Sequence, residues 1–132
     1  MTGKPATPLI TEGTSGIGFA TAKKLAQLGI HVLVVGRNTE RGKKAADAIR
    51  AEAGKADFIS FDLRDVASAR EVAKRAVELG NGHVDILIDN AGIYPFGPAH
   101  EMTEEQFDPV FSVNVNAPYS LKCKSIGTYE PI

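Results

Sequence analysis

TPLITEGTSGIGFATAKKLAQLG, residues 7–29, is the stretch that decides the fold of this chain. A short apolar run at 8–10 predicts a strand, a glycine-rich turn follows, and apolar residues then recur at helical spacing. The residues predicted to face inward from this helix are Ile17, Ala20, Thr21, Leu25 and Leu28. The first helical turn would point backbone N–H groups and the positive end of the helix dipole beyond the strand, where small residues let an anion approach. The turn therefore predicts a phosphate site, although an ordinary strand-to-helix turn also favours glycine.

Strands and helices alternate along the rest of the chain. Apolar runs predict three further strands, at 31–35, 56–61 and 84–88. Between the second and third strands, Asn38 or Thr39 is predicted to cap a helix and Gly54 to close it. This alternation predicts the α/β class, a doubly wound sheet of four parallel strands in the order 3-2-1-4 with flanking helices. Ligands of such sheets bind beyond the carboxyl ends of the strands, where the strand order reverses.

Two helices are predicted after the fourth strand. Thr103 and Gln106, three residues apart, form a capping box for a short helix. Pro109 should end or kink that helix. A final helix is predicted over residues 111–122.

The composition predicts a globular protein without the charge pattern of a nucleic-acid binder. The chain has 132 residues, of which 43% are hydrophobic and 23% charged, and its formal net charge is −1. No basic run is denser than two lysines, so neither nucleic acid nor an acidic membrane is a predicted partner. The single cysteine, Cys123, excludes an internal disulfide, and the histidines and carboxylates show no metal-ligand spacing. No apolar run is long enough to span a bilayer, and the predicted compartment is the cytoplasm.

Several dispersed motifs resemble those of the short-chain dehydrogenase/reductase family. Residues 11–18 are similar to its Thr-Gly-x-x-x-Gly-x-Gly fingerprint, with Glu12 in place of the first glycine. Residues 89–92, Asp-Asn-Ala-Gly, resemble its Asn-Asn-Ala-Gly segment. Residues 107–121 are similar to the helix that carries the family asparagine, here Asn114. The resemblance implies a Rossmann-like domain of an NAD(P)-dependent oxidoreductase.

The resemblance also implies which residues bind the cofactor. They are Thr14, Ser15, Gly16, Ile17, Gly18, Arg37, Asn38, Asp62, Leu63, Asn90, Ala91 and Gly92. Asp62 would accept a hydrogen bond from the adenine amine, and Asn114, as the family's catalytic asparagine, would position a water and the catalytic lysine. Without the resemblance, Asp62 is an ordinary turn residue and Asn114 is a polar residue inside a helix.

The residues after the second strand discriminate between the two nicotinamide cofactors. An acidic side chain there would accept from a free ribose 2′-hydroxyl, whereas Gly36 and Arg37 offer room and a guanidinium for a 2′-phosphate. Arg37 therefore predicts NADP(H), the alternative being a solvated arginine at a strand end. The family's glycine at this position implies that residue 12 needs a positive φ. Glu12 therefore predicts weak or absent binding, because it would strain the backbone there and bring a carboxylate towards the phosphates.

The resemblance divides the chain into a dinucleotide-binding domain, residues 1–122, and an atypical tail, residues 123–132. In the family, a serine and a Tyr-x-x-x-Lys pair would follow residue 122, but Tyr129 has no lysine four positions later. We therefore expect an NADP(H)-type oxidoreductase domain that is truncated before its catalytic residues and inactive as this chain. The alternative is a non-catalytic module for association or nucleotide sensing.

The fourth strand and the final helix predict self-association. With no fifth strand beside it, 84–88 is an apolar sheet edge open to pairing. The final helix carries Phe111, Val115, Tyr119 and Leu121, whose exposed surface a monomer would not readily leave in water. We expect a homo-oligomer through this strand, this helix or both, with Phe111 and Tyr119 buried.

Overall fold

The computed structural model describes residues 5–125, in which four parallel strands form one sheet between two layers of helices. The strands are β1 (Pro8–Thr11), β2 (His31–Gly36), β3 (Lys55–Ser60) and β4 (Ile86–Ile88). The helices are α1 (Gly16–Gln27), α2 (Thr39–Ala51), α3 (Ala69–Leu79), α4 (Glu104–Phe111) and α5 (Ala117–Ser125). The strand order is β3-β2-β1-β4 and every neighbouring pair is parallel, which confirms the predicted topology.

Both faces of the sheet are buried, because helices cover both of them. Consecutive residues of a strand therefore point into different helix layers. On β1, Ile10 packs against the layer of α1 and α2, whereas Leu9 packs against the layer of α3 and α5. On β2, Val32 and Val34 share the side of Ile10, and Leu33 shares the side of Leu9. All five side chains are fully buried, which explains the unbroken apolar sequence of β2.

The inward face of α1 differs from the predicted one. Its buried residues are Gly18, Ala22 and Ala26, spaced four apart. Ile17 is 79% exposed and Leu28 is 67% exposed. Of the predicted residues, Leu25 packs against the core on this side of the sheet, as does Phe19. The fully buried positions of α1 are all small, which is consistent with close packing of the helix on the sheet.

The ends of α2 confirm one capping prediction and correct another. The side chain of Asn38 accepts a hydrogen bond from the N–H of Arg41 at 2.9 Å and caps the helix, as predicted. The left-handed residue after the helix is Ala53, with φ of 64°, rather than Gly54. Gly54 instead permits close packing, because a Cβ there would lie 2.8 Å from Cγ2 of Ile49.

β4 is shorter than predicted, because residues 84 and 85 precede its regular ladder. Oδ2 of Asp85 accepts from the N–H of Thr7 at 2.8 Å, and the N–H of Asp85 donates to the carbonyl of Thr7 at 3.1 Å. A side-chain carboxylate thus replaces one backbone acceptor at the entry to the strand. Regular pairing begins with Pro8 opposite Ile86.

Residues 104–125 form one continuous helical segment. The N–H of Thr103 donates to Oε1 of Gln106 at 3.0 Å, and the capping box predicted for these two residues is present. Pro109 lies inside α4, which continues to Phe111, so the proline does not end the helix at its own position. Three residues after Pro109 the segment becomes π-helical, over Ser112–Asn116. None of the helices described has the length and apolar character needed to cross a membrane.

Candidate cofactor-binding site

A groove of about 660 Å³ runs along the carboxyl edge of the sheet. It is bordered by the turn after β1, the start of α1, the segments after β2 and β3, and the segment after β4. The predicted residues that line it are Ser15, Gly16, Ile17, Arg37, Asp62, Leu63, Asn90 and Gly92. Thr14 and Asn38 line a smaller adjoining pocket. A depression of about 750 Å³ at the opposite edge of the sheet contains none of the predicted residues.

Thr11 joins the end of β1 to the segment after β4. Its Oγ1 accepts hydrogen bonds from the N–H groups of Asn90 at 3.1 Å and Ala91 at 3.0 Å. The same hydroxyl donates to the carbonyl of Ile88 at 3.5 Å. Thr11 is only 2% exposed, so these N–H groups would have no ready substitute for it. Thr11 thus sets the position of Asn90 and Ala91 relative to the glycine turn.

The glycine turn depends on a left-handed backbone and on one close approach. The φ angles are 50° at Glu12 and 56° at Gly16, which confirms the positive φ predicted for Glu12. A Cβ on Gly18 would lie 2.4 Å from the carbonyl oxygen of Glu12 and 2.5 Å from Nδ2 of Asn90. That Nδ2 donates to the Glu12 carbonyl at 3.3 Å. Only glycine at position 18 allows α1 to begin this close to the loop.

The first turn of α1 faces the groove without a side-chain cap. Ser15 is the N-cap residue, with extended backbone angles, but its side chain makes no capping hydrogen bond. A Cβ on Gly16 would meet nothing within 4 Å, so the space beside this turn is open. Helix N-termini of this kind bind anions through their N–H groups and the helix dipole.

The groove beside the ends of β2 and β3 carries charges of both signs. Arg64 holds the carboxylate of Asp62, with Nη2 2.7 Å from Oδ2 and Nε 3.1 Å from Oδ1. Hydrogen bonding from the Arg64 side chain lowers the pKa of Asp62 to about 2. Arg37 lines the same groove and makes no ion pair with any residue between 5 and 125.

The pairing of Asp62 with Arg64 was missed by the sequence analysis. The carboxylate of Asp62, predicted to accept from adenine, already accepts hydrogen bonds from Arg64. Adenine would have to share that carboxylate with Arg64. The available signal was an arginine two residues beyond an aspartate at a strand end. The two residues lie in the same turn, where the backbone N–H of Arg64 also donates to Oδ1 of Asp62.

Asn114 positions the segment after β4. Its Oδ1 accepts from the N–H of Ile93 and its Nδ2 donates to the carbonyl of Ile93, both at 2.8 Å. The residue lies in the π-helical stretch, and its partner Ile93 lines the groove. In this structure, Asn114 acts on the loop backbone rather than on a lysine.

The opposite end of the groove is apolar, which the sequence analysis did not anticipate. The apolar residues there are Ile17, Ile93, Tyr94, Pro109 and Val113. Tyr94 is 74% exposed and packs edge to face on Phe96, with ring centroids 5.6 Å apart. The lining of the groove therefore combines charged side chains with a set of apolar ones.

Asp89 stands where the resembling motif has its first asparagine. Desolvation raises the pKa of its carboxyl, although the residue remains solvent-accessible. Among residues 5–125, no group of three or more histidine, cysteine, aspartate or glutamate side chains is placed to hold a metal ion.

Comparison with known proteins assigns the chain to a family. Residues 6–126 match the family described as short chain dehydrogenase. This match covers most of the sequence, and the chain belongs to the short-chain dehydrogenase family. Tyr129 and the rest of the predicted atypical tail beyond residue 125 lie outside the described residues.

Individual relatives agree in sequence and in structure. The chain is 39% identical to an uncharacterized oxidoreductase of Thermotoga maritima, over 86% of this chain and 44% of that protein. It is 33% identical to 2,3-dihydro-2,3-dihydroxybenzoate dehydrogenase of Bacillus subtilis, over 91% of this chain and 45% of that protein. A metagenomic short-chain oxidoreductase crystallised with NADP superposes with a TM-score of 0.85 at 31% identity, over 92% of this chain and 54% of that one. The chain thus spans about half the length of the relatives it matches.

Proposed function

We propose that this chain supplies the nucleotide-binding part of an NADP(H)-dependent oxidoreductase. The observation that carries the proposal is one groove that joins the uncapped first turn of α1 to Arg37 after β2. The helix N-terminus suits a pyrophosphate, and the guanidinium suits a ribose 2′-phosphate. The relative that was crystallised with NADP supports the same choice of cofactor. When bound, NADP(H) would supply or accept a hydride.

Glu12 limits how well the groove suits this cofactor. Its side chain lines the groove together with Gly16 and Arg37. A carboxylate at this position repels an incoming phosphate. The neighbouring lining residues Ser15, Gly16 and Asn90 carry no charge and do not add to that repulsion. We therefore propose weak binding to the unaltered chain and stronger binding to Glu12→Gly.

The proposed site is tested by titrating the chain with NADPH and NADH in a Glu12→Gly background. Arg37→Ala should reduce the preference for NADPH about tenfold or more, since a charge-assisted contact contributes about 1.5–3 kcal/mol. Arg75→Ala is the matched control, because Arg75 lies on α3 and pairs with Glu78 away from the groove. A preference that survives Arg37→Ala would contradict the assignment.

We also propose that these 132 residues do not turn over a substrate by themselves. Neither Tyr94 nor Tyr119 has a lysine four positions later. Carbonyl reduction requires a proton donor whose pKa is matched to neutral pH, and a tyrosine without such a neighbour is a poor one. NADPH consumption with a panel of alcohols, ketones and aldehydes should stay at background. Consumption that scales with the protein and survives repurification would show that another residue donates the proton.

The exposed face of the last helical segment supports self-association. Its apolar side chains, each between 47% and 70% exposed, are Phe107, Phe111, Val115 and Tyr119. Leu121, predicted to share this surface, is instead fully buried in the core between α3 and the sheet. We propose that a second copy covers these four side chains and the β4 edge, where Ile86 is 42% exposed.

The cytoplasmic location remains a prediction from composition. Cell fractionation with an antibody to the chain would test it. Recovery in a membrane fraction that resists a salt wash would contradict it.

A further inference from the structure

The turn after α3 contains an asparagine followed directly by a glycine, Asn81 and Gly82. In this dipeptide the backbone nitrogen of the second residue attacks the side-chain amide of the first with little hindrance, because glycine has no side chain. The other asparagines, each followed by a residue with a side chain, are Asn38, Asn90, Asn114 and Asn116. We propose that Asn81 is a site of spontaneous deamidation and that the cap at the end of α3 controls its rate.

The surroundings of the dipeptide leave room for the reaction. Asn81 and Gly82 are both exposed. The side chain of Asn81 makes no hydrogen bond to any residue between 5 and 125. A Cβ on Gly82 would meet nothing within 4 Å, so the space beside the dipeptide is open. The amide of Asn81 is therefore accessible to water, and no side-chain hydrogen bond prevents it from turning towards the Gly82 nitrogen.

The reaction requires water and no other reactant. The nitrogen of Gly82 bonds to Cγ of Asn81 and loses its proton, while the Cγ–Nδ2 bond breaks and ammonia leaves. Water then opens the resulting cyclic imide. If the bond from the Gly82 nitrogen to Cγ breaks, residue 81 becomes an aspartate. If the bond to the main-chain carbonyl carbon breaks instead, it becomes an isoaspartate, whose backbone runs through the former side chain.

The end of α3 holds the attacking nitrogen in place. The N–H of Gly82 donates to the carbonyl of Val77 at 2.8 Å, and the N–H of Gly80 donates to the carbonyl of Ala76 at 2.8 Å. Between them, Asn81 has a φ of 57°. This arrangement matches a Schellman cap, with asparagine at the left-handed position that glycine most often occupies. Because the Gly82 proton is bound to Val77, the last turn of α3 must open before the nitrogen attacks.

The isoaspartyl product does not fit the turn. It adds one atom to the backbone, but a Cβ on Gly80 would already lie 2.2 Å from the carbonyl oxygen of His83, so the turn is tightly packed. Just beyond the turn, Asp85 binds the backbone of Thr7 at the entry to β4. An extra backbone atom should therefore break the cap and weaken this junction. The aspartyl product keeps the length of the backbone and should disturb the turn less.

The rate of the reaction is measured by incubating the full chain in mildly alkaline buffer and following residue 81 by peptide mass spectrometry. Asn81 should convert to a mixture of aspartate and isoaspartate, while the other asparagines stay intact. In urea that unfolds the chain, conversion should be about tenfold faster or more, because the cap is lost. A peptide of residues 76–87, measured with and without urea, corrects for the effect of urea on the chemistry itself.

The consequence for stability is measured on aged protein. Isoaspartyl chains, separated by ion exchange, should unfold about 3–5 °C below the fresh chain, since one capping hydrogen bond is lost. Asn81→Asp reproduces the aspartyl product and should unfold closer to the unaltered chain. Asn81→Gly is the matched control, because it keeps the left-handed cap and has no amide, so its Tm should not change with age.

Two results would overturn the inference. If Asn81 stays intact in the unfolded chain for as long as the other asparagines do, it is not a deamidation site. If it converts equally fast in the folded and unfolded chains, the cap does not control the rate. Neither result bears on the proposed cofactor groove, which lies at the opposite edge of the sheet and does not include residue 81.

Discussion

Replacing Glu12 by glycine should stabilise the fold and strengthen nucleotide binding together. Glu12 has a φ of 50°, a left-handed conformation that costs a residue with a Cβ about 1–2 kcal/mol. Glycine loses more backbone entropy on folding, by about 0.5–1 kcal/mol. The net gain in the free energy of unfolding should therefore be about 0.5–1 kcal/mol. For a chain of this size, that corresponds to an increase in Tm of about 2–4 °C.

The gain in binding has a separate, electrostatic origin. At a separation of about 4 Å, two unit charges in water interact with about 1 kcal/mol. Removing the Glu12 carboxylate from a groove that receives two pyrophosphate charges should therefore strengthen NADPH binding by about 2 kcal/mol, or about 30-fold. Higher salt should reduce this gain, because exposed charges are screened.

Two further variants separate the backbone effect from the charge effect. Glu12→Gln removes the charge and keeps the left-handed side chain, so it should improve binding without raising Tm. Ala53→Gly relieves the same kind of backbone strain, at φ of 64° after α2, and should raise Tm without changing binding. Differential scanning fluorimetry and calorimetric titration measure the two quantities. If Glu12→Gly has the Tm and the NADPH affinity of the unaltered chain, the reasoning about Glu12 is wrong.

Other variants test the remaining features of the fold. Thr11→Val leaves two backbone N–H groups without their acceptor and should lower the free energy of unfolding, measured in urea, by about 2–4 kcal/mol. The control Thr21→Val removes an exposed helical hydroxyl and should lower it far less. Equal losses in the two variants would contradict the role of Thr11. Because the pKa of Asp62 is lowered to about 2 in the fold, its contribution to stability is present above about pH 4 and disappears as the pH falls towards 2. Asp62→Asn should flatten that part of the pH profile, and an unchanged profile would argue against the pair. Val115→Lys should shift the molar mass measured by light scattering towards that of the monomer or of aggregates. A stable monomer of the unaltered chain at tens of micromolar would contradict self-association.

The topology was predictable because the strands are separated by clear turn signals and carry uninterrupted apolar sequence. Residues of β2 such as Leu33 and Val34 are buried on opposite faces, and only a parallel sheet covered on both sides requires that pattern. The conformation of the glycine turn was predictable from the family fingerprint. That fingerprint has a glycine where this chain has Glu12, and a glycine there indicates the positive φ that is observed.

The details that the sequence did not predict depend on close packing and on short-range side-chain pairing. The buried face of α1 is made of small residues, Gly18, Ala22 and Ala26, and a hydrophobicity pattern gives such residues little weight. Asp62 pairs with Arg64, but an aspartate at a strand end has several possible partners, and the sequence does not indicate which one it binds. Neither feature leaves a periodic signal.

The clamp between Asn114 and Ile93 was unpredictable for a further reason. It joins residues 21 positions apart and depends on the π-helical turn at Ser112–Asn116. Helical periodicity assumes 3.6 residues per turn, so a wider turn shifts every later position relative to the pattern.

That π-helical turn acts as a register shift built into the helix. One residue more or less in an α-helix rotates everything after it by about 100°. Shortening Ser112–Asn116 by a single residue would therefore rotate Ala117 and Leu121 out of the core beside α3 and bring neighbouring polar positions in. If the residue removed is Ser112 or Val113, the change also alters the position of Asn114 relative to α4 and so its hydrogen bonds to Ile93, which lines the cofactor groove.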